Sequence, residues 1–243
     1  MDKKIEKNWK NINEFLSQAG PNLNILEEEV DISVQKEYFD LVNILSKNPE
    51  KYQDLCKQYI ESVNDLFDES VSPELKKRML VILATIDDIG IYRAIESFSK
   101  LETPLQKWSV IALQQSRMLI QSTLLDDPGV FISTGLGGQG NLLRYFCVFL
   151  NRSEDSLQEF QRHVVRNETE SALKPLKGVI EQMDFFNGYS TFILLLPLET
   201  NLKTLFESII DECNQYGNFL HENMIITNVK KLSEQEIRDI LRK

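Results

Sequence analysis

The sequence has few of the residue types that usually carry chemistry in a protein site. There are two histidines and three cysteines among 243 residues, and Cys56, Cys147 and Cys213 match no metal-ligand spacing. His163 and His221 have no serine or cysteine motif beside them. The motifs of hydrolases, zinc peptidases, thiol oxidoreductases and phosphate loops are also missing. We therefore predict no catalytic residue, no metal and no cofactor.

Long apolar runs are missing as well. No stretch approaches the roughly 18 consecutive apolar residues that a membrane-spanning helix requires. The first residues, MDKKIEKNWKNINEF, are basic but lack the apolar segment and cleavage site of a signal peptide. Each cysteine lies in an apolar pattern, which is typical of a reduced thiol in a core. We expect a protein that has no membrane segment and works in the cytoplasm.

Positive charge is scarce and scattered. The net charge is −10, and the longest basic cluster is Lys76-Lys77-Arg78. Residues 1–128 hold 15 Lys and Arg against 22 Asp and Glu, whereas residues 129–243 hold 12 against 15. Nucleic-acid binding draws most of its affinity from neutralised phosphates. The composition therefore counts against a nucleic-acid partner and favours a protein partner.

Up to residue 128, apolar residues recur at helical spacing. Helices are predicted over residues 5–16 and Ser33–Leu45, after the caps Asn48-Pro49, Ser72-Pro73 and Thr103-Pro104, and over Ile89–Leu101. The segment Asn22–Asp31 contains the acidic run Glu27-Glu28-Glu29, and we predict that it is an exposed connection. Asp126-Asp127-Pro128-Gly129 is a turn signal that separates the two halves.

Two of these predicted helices repeat at an offset of 30 residues. The aligned pairs are Leu75 with Leu105, Lys77 with Lys107, Leu80 with Val110, Val81 with Ile111, and Leu83 with Leu113. Paired helices at a fixed interval are typical of helical solenoids. Residues 73–121 resemble HEAT-like repeats in this respect. Such arrays generally act as protein-binding scaffolds, so the resemblance implies a binding role and no chemistry.

After residue 129, predicted strands and helices alternate. Strands are predicted at Leu142–Leu150, Val179–Phe186, Tyr189–Leu198 and Met224–Val229, with helices opening at Ser153 and Thr200 and a hairpin at Asn187-Gly188. Ser233 and Glu236 form a capping box for a last helix. The order β-α-β-β-α-β over about residues 141–230 resembles the ferredoxin-like fold. That fold serves many functions, so the resemblance implies none in particular.

Periodicity also predicts which face of each of these two helices is buried. The first is predicted to bury Leu157, Phe160, Val164 and Val165, and the second Leu202, Leu205, Phe206, Ile209, Ile210, Cys213 and Tyr216.

Both faces of the predicted central strands are apolar. Phe146, Val148 and Leu150 alternate with Leu143, Tyr145, Cys147 and Phe149 on one strand, and Phe192, Leu194 and Leu196 alternate with Thr191, Ile193 and Leu195 on the other. A bare apolar face of this size is typical of an interaction site, so something is expected to cover it. Three covers stay open: the preceding helical half, a second copy of the chain, and another protein. Tyr145, Phe149 and Phe192 are the predicted interaction face.

A glycine-rich turn precedes the first central strand. Gly135-Leu136-Gly137-Gly138-Gln139-Gly140 matches the dinucleotide-binding pattern G-x-G-x-x-G, but a strand follows where that pattern needs a helix. One interpretation is a hairpin turn whose glycines supply positive φ angles. The alternative is an anion-binding nest of backbone N–H groups. Its candidate ligand-binding residues are Thr134, Gly135, Gly137, Gly138, Gly140, Asn141 and Arg144.

Together these patterns predict an α+β protein. Residues 1–128 would form an α-helical, HEAT-like array, and residues 129–243 a ferredoxin-like βαββαβ sheet with an extra hairpin strand. The favoured function is a non-enzymatic interaction or regulatory module with a protein partner, or a homodimer. The second hypothesis is a regulator that binds a small ligand or nucleotide at residues 135–140. An enzyme of unrecognised type is the third, because catalytic groups can be scattered along a chain.

Overall fold

A computed structural model describes residues 23–125 and 130–241. The chain divides into two compact units between Ser133 and Thr134. The predicted α+β class is confirmed, since the first unit is largely helical and the second contains an antiparallel sheet with helices. The predicted helix over residues 5–16 and the turn at residues 126–129 lie outside the described residues. Among those that are described, no helix is both long and apolar enough to cross a membrane.

The first unit contains two short strands and a series of helices. These are β1 (Leu23–Ile25), α1 (Ile32–Leu45), α2 (Pro49–Glu61), α3 (Pro73–Leu83), α4 (Ile89–Ser99), α5 (Gln106–Leu125) and β2 (Val130–Ile132). The predicted caps are present where Asn48 accepts a hydrogen bond from the Lys51 N–H and Ser72 accepts one from the Leu75 N–H. Each cap precedes a proline at the first helical position, where no N–H is needed.

An aromatic contact lies at the centre of the first unit. The rings of Tyr38 and Trp108 lie 5.3 Å apart, and the Tyr38 hydroxyl donates a hydrogen bond of 2.8 Å to Gln115. Burial raises the pKa of Tyr38. The sequence repeat is not matched in burial, because Leu75 is 37% exposed whereas its aligned partner Leu105 is 6% exposed.

One prediction for the first unit was wrong. Residues 22–31 were expected to form an exposed connection, but Leu23–Ile25 pairs in parallel with Val130–Ile132, and Leu26 and Val30 are fully buried. The acidic run at residues 27–29 is exposed, as expected. A three-residue strand is too short for alternation to be visible, and its partner lies more than a hundred residues away.

The second unit has the strand order of a ferredoxin-like sheet. Its elements are β3 (Gly138–Gln139), β4 (Leu142–Asn151), α6 (Glu159–Leu173), β5 (Val179–Phe185), β6 (Tyr189–Pro197), α7 (Leu202–Asn214), β7 (Leu220–Thr227) and α8 (Glu234–Leu241). Strands β4 and β6 are central and antiparallel, β5 lies beside β6, and β7 lies beside β4. The extra hairpin strand is β3, which pairs with the start of β4. Val130–Ile132 does not join this sheet, because it pairs with β1 in the first unit.

Local signals set the ends of several elements in this unit. Gly188 has a φ of +83° in the hairpin between β5 and β6, which explains the Asn187-Gly188 signal. The capping box before α8 is present, with the Ser233 N–H donating to the Glu236 carboxylate at 2.9 Å. Helix α6 begins at Glu159 and not at Ser153, because Gln158 and Gln161 form its capping box.

Candidate interaction site

The glycine-rich turn is packed closely against the chain that follows β7. A Cβ atom on Gly135 would lie 1.6 Å from the carbonyl oxygen of Val229, so no larger residue fits without a shift of the backbone. The Leu136 N–H donates to the carbonyl of Asn228 at 3.1 Å, and the Leu136 side chain is fully buried. This glycine is therefore required by a close approach of two backbones.

The remaining polar groups of the turn are engaged within it. The Thr134 hydroxyl donates to the Gly137 carbonyl at 3.2 Å, and the Gly137 N–H donates to the Thr134 carbonyl at 3.3 Å. Gly138 pairs with Leu143 in the hairpin, and Gly140 has a φ of +55° in the tight turn that it forms with the exposed Asn141. These contacts support the hairpin interpretation of the turn.

Arg144 of β4 forms an ion pair with Glu181 of β5, across the intervening strand β6. Its guanidinium donates to both carboxylate oxygens of Glu181, with an Nη2–Oε1 distance of 2.8 Å, and to the Leu136 carbonyl at 2.8 Å. The hydrogen bond from Arg144 lowers the pKa of Glu181. The arginine therefore fastens the turn to the sheet with its charge compensated, and the geometry gives no support to an anion site here.

The predicted interaction face lies inside the second unit. Tyr145, Phe149 and Phe192 are all buried, and the rings of Phe149 and Phe192 lie 4.6 Å apart. The ring of Phe206 from α7 meets Phe149 edge-on at 6.0 Å. Burial raises the pKa of Tyr145 to about 12. These side chains form a core with the unit's own helix α7, so the predicted interaction face is covered within the unit itself.

The opposite face of the sheet, which we call the tail-covered face, is buried by the unit's own ends. Its members are Phe146, Val148, Leu150, Tyr189 and Ile193. They form one buried cluster with Leu136 from the glycine-rich turn and Ile237 from α8, and Ile225 and Leu232 pack against it. None of the three covers considered from the sequence is needed to explain this cluster. The missed cover consists of Leu136 in the turn and Ile237, which is the one side chain of residues 234–240 in α8 that is buried.

An exposed aromatic pair lies on the helical side of the second unit. Phe160, in the first turn of α6, and Tyr216, just after α7, have ring centroids 6.5 Å apart at an interplanar angle of 72°. Phe160 is 58% exposed and Tyr216 is 54% exposed. In every other ring contact within the described chain, at least one ring is less than half exposed.

Both members of the pair were wrongly predicted to face the core. Phe160 lies one turn before Val164, the first buried residue of α6, and Tyr216 lies about one turn after Cys213, the last buried residue of α7. Leu157 before Phe160 and Phe219 after Tyr216 are buried, whereas the two aromatic side chains at the helix ends are exposed and their rings meet each other. The Gln158–Gln161 capping box and Gly217 mark these helix ends in the sequence, so the signal was present although periodicity alone missed it.

Two carboxylates lie close to the aromatic pair in the sequence. Glu159 precedes Phe160, is exposed, and has no ion-pair or hydrogen-bond partner for its carboxylate in the described structure. Glu212 lies one helical turn before Tyr216 and accepts a hydrogen bond of 2.8 Å from the neutral Gln215 amide. Burial raises the pKa of the Cys213 thiol to about 12, with further contributions from the charges of Glu168 and Glu212. Negative charge therefore extends along the seam between α6 and α7.

The arginines at this end of the unit are held by other groups. Arg162 donates to the Leu157 carbonyl at 2.8 Å and to the Ser156 hydroxyl at 2.7 Å, and its guanidinium lies 5.6 Å from the centre of the Phe185 ring. Arg152 donates to the Leu220 carbonyl at 2.9 Å. These interactions direct both guanidinium groups towards strands and loops of the unit. The carboxylates beside the pair are left without compensating arginines.

Comparisons with known proteins give little further information. No protein-family model matches the chain, and no curated protein matches it either. A solved structure of a REP-associated tyrosine transposase bound to a REP hairpin is similar over 40% of this chain and 61% of that one, with 12% identity and a TM-score of 0.32. The chain thus spans less than two thirds of that protein, and so weak a likeness carries no argument.

Proposed function

We propose that this chain is a non-enzymatic protein-interaction module that binds a partner protein through the aromatic pair Phe160 and Tyr216. The observation that carries the proposal is the exposure of two touching aromatic rings on a unit whose other described ring contacts each include a buried ring. Single exposed apolar side chains are common on protein surfaces and need no explanation. Two adjacent rings offer the kind of anchor that dominates interface energetics.

The two faces of the sheet are less suitable as docking surfaces. Phe149 and Phe192 contact each other and Phe206, and Phe146 and Ile193 belong to the cluster that contains Ile237. A partner that docked on either face would first have to displace helix α7 or α8. Binding at the aromatic pair requires no such rearrangement, which favours that surface.

We assign the helical first unit the role of a scaffold, in keeping with the resemblance of residues 73–121 to HEAT-like repeats. We also assign the protein to the cytoplasm. Cys147 and Cys213 support this assignment because both are buried, unpaired thiols whose pKa values are raised by burial. Buried thiols of this kind suit a reducing compartment.

The proposal is tested by selecting ligands for the full-length chain from an unbiased displayed peptide library. The wild type is compared with the double variant Phe160→Ala/Tyr216→Ala. The matched control is Ile44→Ala/Ile89→Ala, which removes two side chains of the first unit that are also more than half exposed. We expect peptides selected on the wild type to bind the control equally and to lose about tenfold or more in affinity for the double variant.

Two results would overturn the proposed function. One is a set of selected peptides that bind the wild type and the Phe160→Ala/Tyr216→Ala variant with equal affinity. The other is the failure of repeated selections on the wild type to enrich any peptide over the double variant. Far-ultraviolet circular dichroism of all three proteins confirms that the variants are folded before they are compared.

A further inference from the structure

We infer that the partner segment bound by the aromatic pair is cationic and places an arginine or lysine side chain against the rings of Phe160 and Tyr216. This inference rests on the proposed function and adds the chemistry of the partner. Three features carry it: the exposed ring faces, the uncompensated carboxylates beside them, and the internal engagement of the nearby arginines.

The first feature is the geometry of the rings. Their edge-to-face arrangement leaves ring surface of both residues accessible, since each is more than half exposed. A guanidinium or ammonium group that lies over an aromatic face is attracted by the negative charge of that face. Arginine is favoured over lysine because its planar group stacks on a ring and forms two parallel hydrogen bonds with a carboxylate.

The second feature is the position of the carboxylates. Glu159 directly precedes Phe160 in the first turn of α6, and Glu212 lies in the last turn of α7, four residues before Tyr216. A cation over the rings would therefore lie at the same ends of α6 and α7 as these two carboxylates. A carboxylate that already had an arginine partner would gain little from a second one, but neither residue has a cationic partner in the described part of the chain.

The third feature is that the described cationic side chains of the second unit do not pair with these two carboxylates. Arg162 and Arg152 hold backbone carbonyls, as described above, and Arg152 also pairs with Glu222, while neither arginine pairs with Glu159 or Glu212 in the described part of the chain. Arg166 lies six residues after Phe160, about 120° around the helix from it. His163 lies three residues after Phe160 and is exposed. The surface at the pair thus carries a negative potential that its own side chains leave in place.

The same charges argue against the other occupants. A second copy of the chain, with a net charge of −10, would bring acidic side chains towards an acidic surface. Nucleic acid would bring phosphates towards Glu159 and Glu212, and like-charge contacts of this kind cost affinity. A basic protein segment with an apolar residue beside its arginine or lysine fits both the rings and the carboxylates.

The inference is tested by fluorescence anisotropy with the full-length chain and defined probes. The first probe is a labelled peptide in which arginine alternates with leucine. The second has glutamate in place of each arginine, and the third is a labelled short DNA duplex. We expect the arginine peptide to bind at least about tenfold more tightly than either of the others, and its affinity to fall as salt concentration rises.

Charge-reversal variants separate a local site from the general acidity of the protein. Glu159→Lys/Glu212→Lys reverses the two carboxylates at the pair, and Glu69→Lys/Glu102→Lys makes the same change in charge at exposed positions of the first unit. We expect the first variant to lose about tenfold or more in affinity for the arginine peptide and the second to change by less than about twofold. Equal losses in the two variants would overturn the inference.

The peptide selection described above keeps this inference distinct from the proposed function. If the enriched peptides depend on Phe160 and Tyr216 and contain arginine or lysine beside an apolar residue, both statements are supported. If they depend on the two rings but lack basic residues, the proposed function stands and the cationic partner is excluded. Stronger binding of the DNA duplex than of the arginine peptide would also overturn the inference.

Discussion

The carbonyl oxygen of Val229 lies so close to Gly135 that a Cβ atom on this glycine would be 1.6 Å away from it. This contact joins the glycine-rich turn to the segment after β7, and Leu136 enters the core immediately beyond it. The turn that matches a nucleotide-binding pattern in the sequence therefore has a packing role in the structure. Close backbone approach is one of the situations in which only glycine is accommodated.

The first prediction concerns this contact. Gly135→Ala forces the backbone of Val229 to move, and we expect it to lower the free energy of unfolding by about 3 kcal/mol or more. Gly140→Ala is the matched control, because Gly140 has a φ of +55° and open space around it. Its cost is limited to backbone strain, about 1 kcal/mol. Urea denaturation of both variants measures the difference, and equal costs would contradict the close packing at Gly135.

The second prediction concerns the tail-covered face. Ile237 is the buried residue of α8 in the cluster with Phe146 and Ile193, so Ile237→Ala leaves a cavity against the sheet. We expect it to lower the free energy of unfolding by about 2–4 kcal/mol. Ile240→Ala, in the same helix at a position that is 45% exposed, is expected to cost less than about 1 kcal/mol. If the two variants lose equal stability, α8 does not cover the sheet.

The third prediction is a dependence of stability on pH that arises from Glu181. Arg144 lowers the pKa of Glu181 in the folded protein below its ordinary value of 4.5. The stabilisation is therefore fully present above about pH 4.5 and is lost as the pH falls through the folded pKa. We expect Glu181→Gln to be less stable than the wild type by about 1–2 kcal/mol at pH 7. The difference should shrink towards about pH 3.

Urea denaturation across this pH range checks the third prediction. The wild type and Glu181→Gln share every other titrating group, so these contributions cancel in the difference between the two proteins. Glu102→Gln serves as the control because Glu102 is exposed, and its difference from the wild type should be small at every pH. A wild-type advantage over Glu181→Gln that stays constant down to about pH 3 would show that Arg144 does not stabilise the ionised carboxylate.

The fourth prediction separates the aromatic pair from the core rings. Phe160→Ala/Tyr216→Ala removes two exposed side chains that contact each other, so we expect it to cost less than about 1.5 kcal/mol of stability. Phe149→Ala removes a buried ring that contacts Phe192 and Phe206 and is expected to cost about 3–5 kcal/mol. A loss of 3 kcal/mol or more in the double variant would mean that the pair has a structural role.

The elements predicted well from the sequence are those with local signals. Asn187-Gly188 identified the hairpin between β5 and β6, Ser72-Pro73 identified the start of α3, and Ser233 with Glu236 identified the cap of α8. Each signal acts over three or four residues, so it can be recognised without knowledge of the tertiary structure. The order of strands and helices in the second unit followed from these local signals.

Non-local contacts could not be predicted in the same way. The pairing of Leu23 with Val130 joins positions 107 residues apart, and nothing in either three-residue strand specifies its partner. The packing of Leu136 and Ile237 against the sheet could not be predicted either, since one residue in a turn and one in a short helix produce no apolar stripe. Phe160 and Tyr216 fitted a stripe, but they lie at helix ends, where both side chains are exposed and contact each other. Periodicity identifies the apolar face of a helix, but it does not show which positions along that face are covered by other elements.

The most direct test of the central claim is a chemical-shift titration of the isotope-labelled full-length chain with the peptide in which arginine alternates with leucine. We expect the largest amide shifts at residues 159–163 and 212–217, around Phe160 and Tyr216. We expect little change at residues 135–140 and along β4 and β6. If the largest shifts instead fall in the glycine-rich turn or in the sheet, the docking surface proposed here is contradicted.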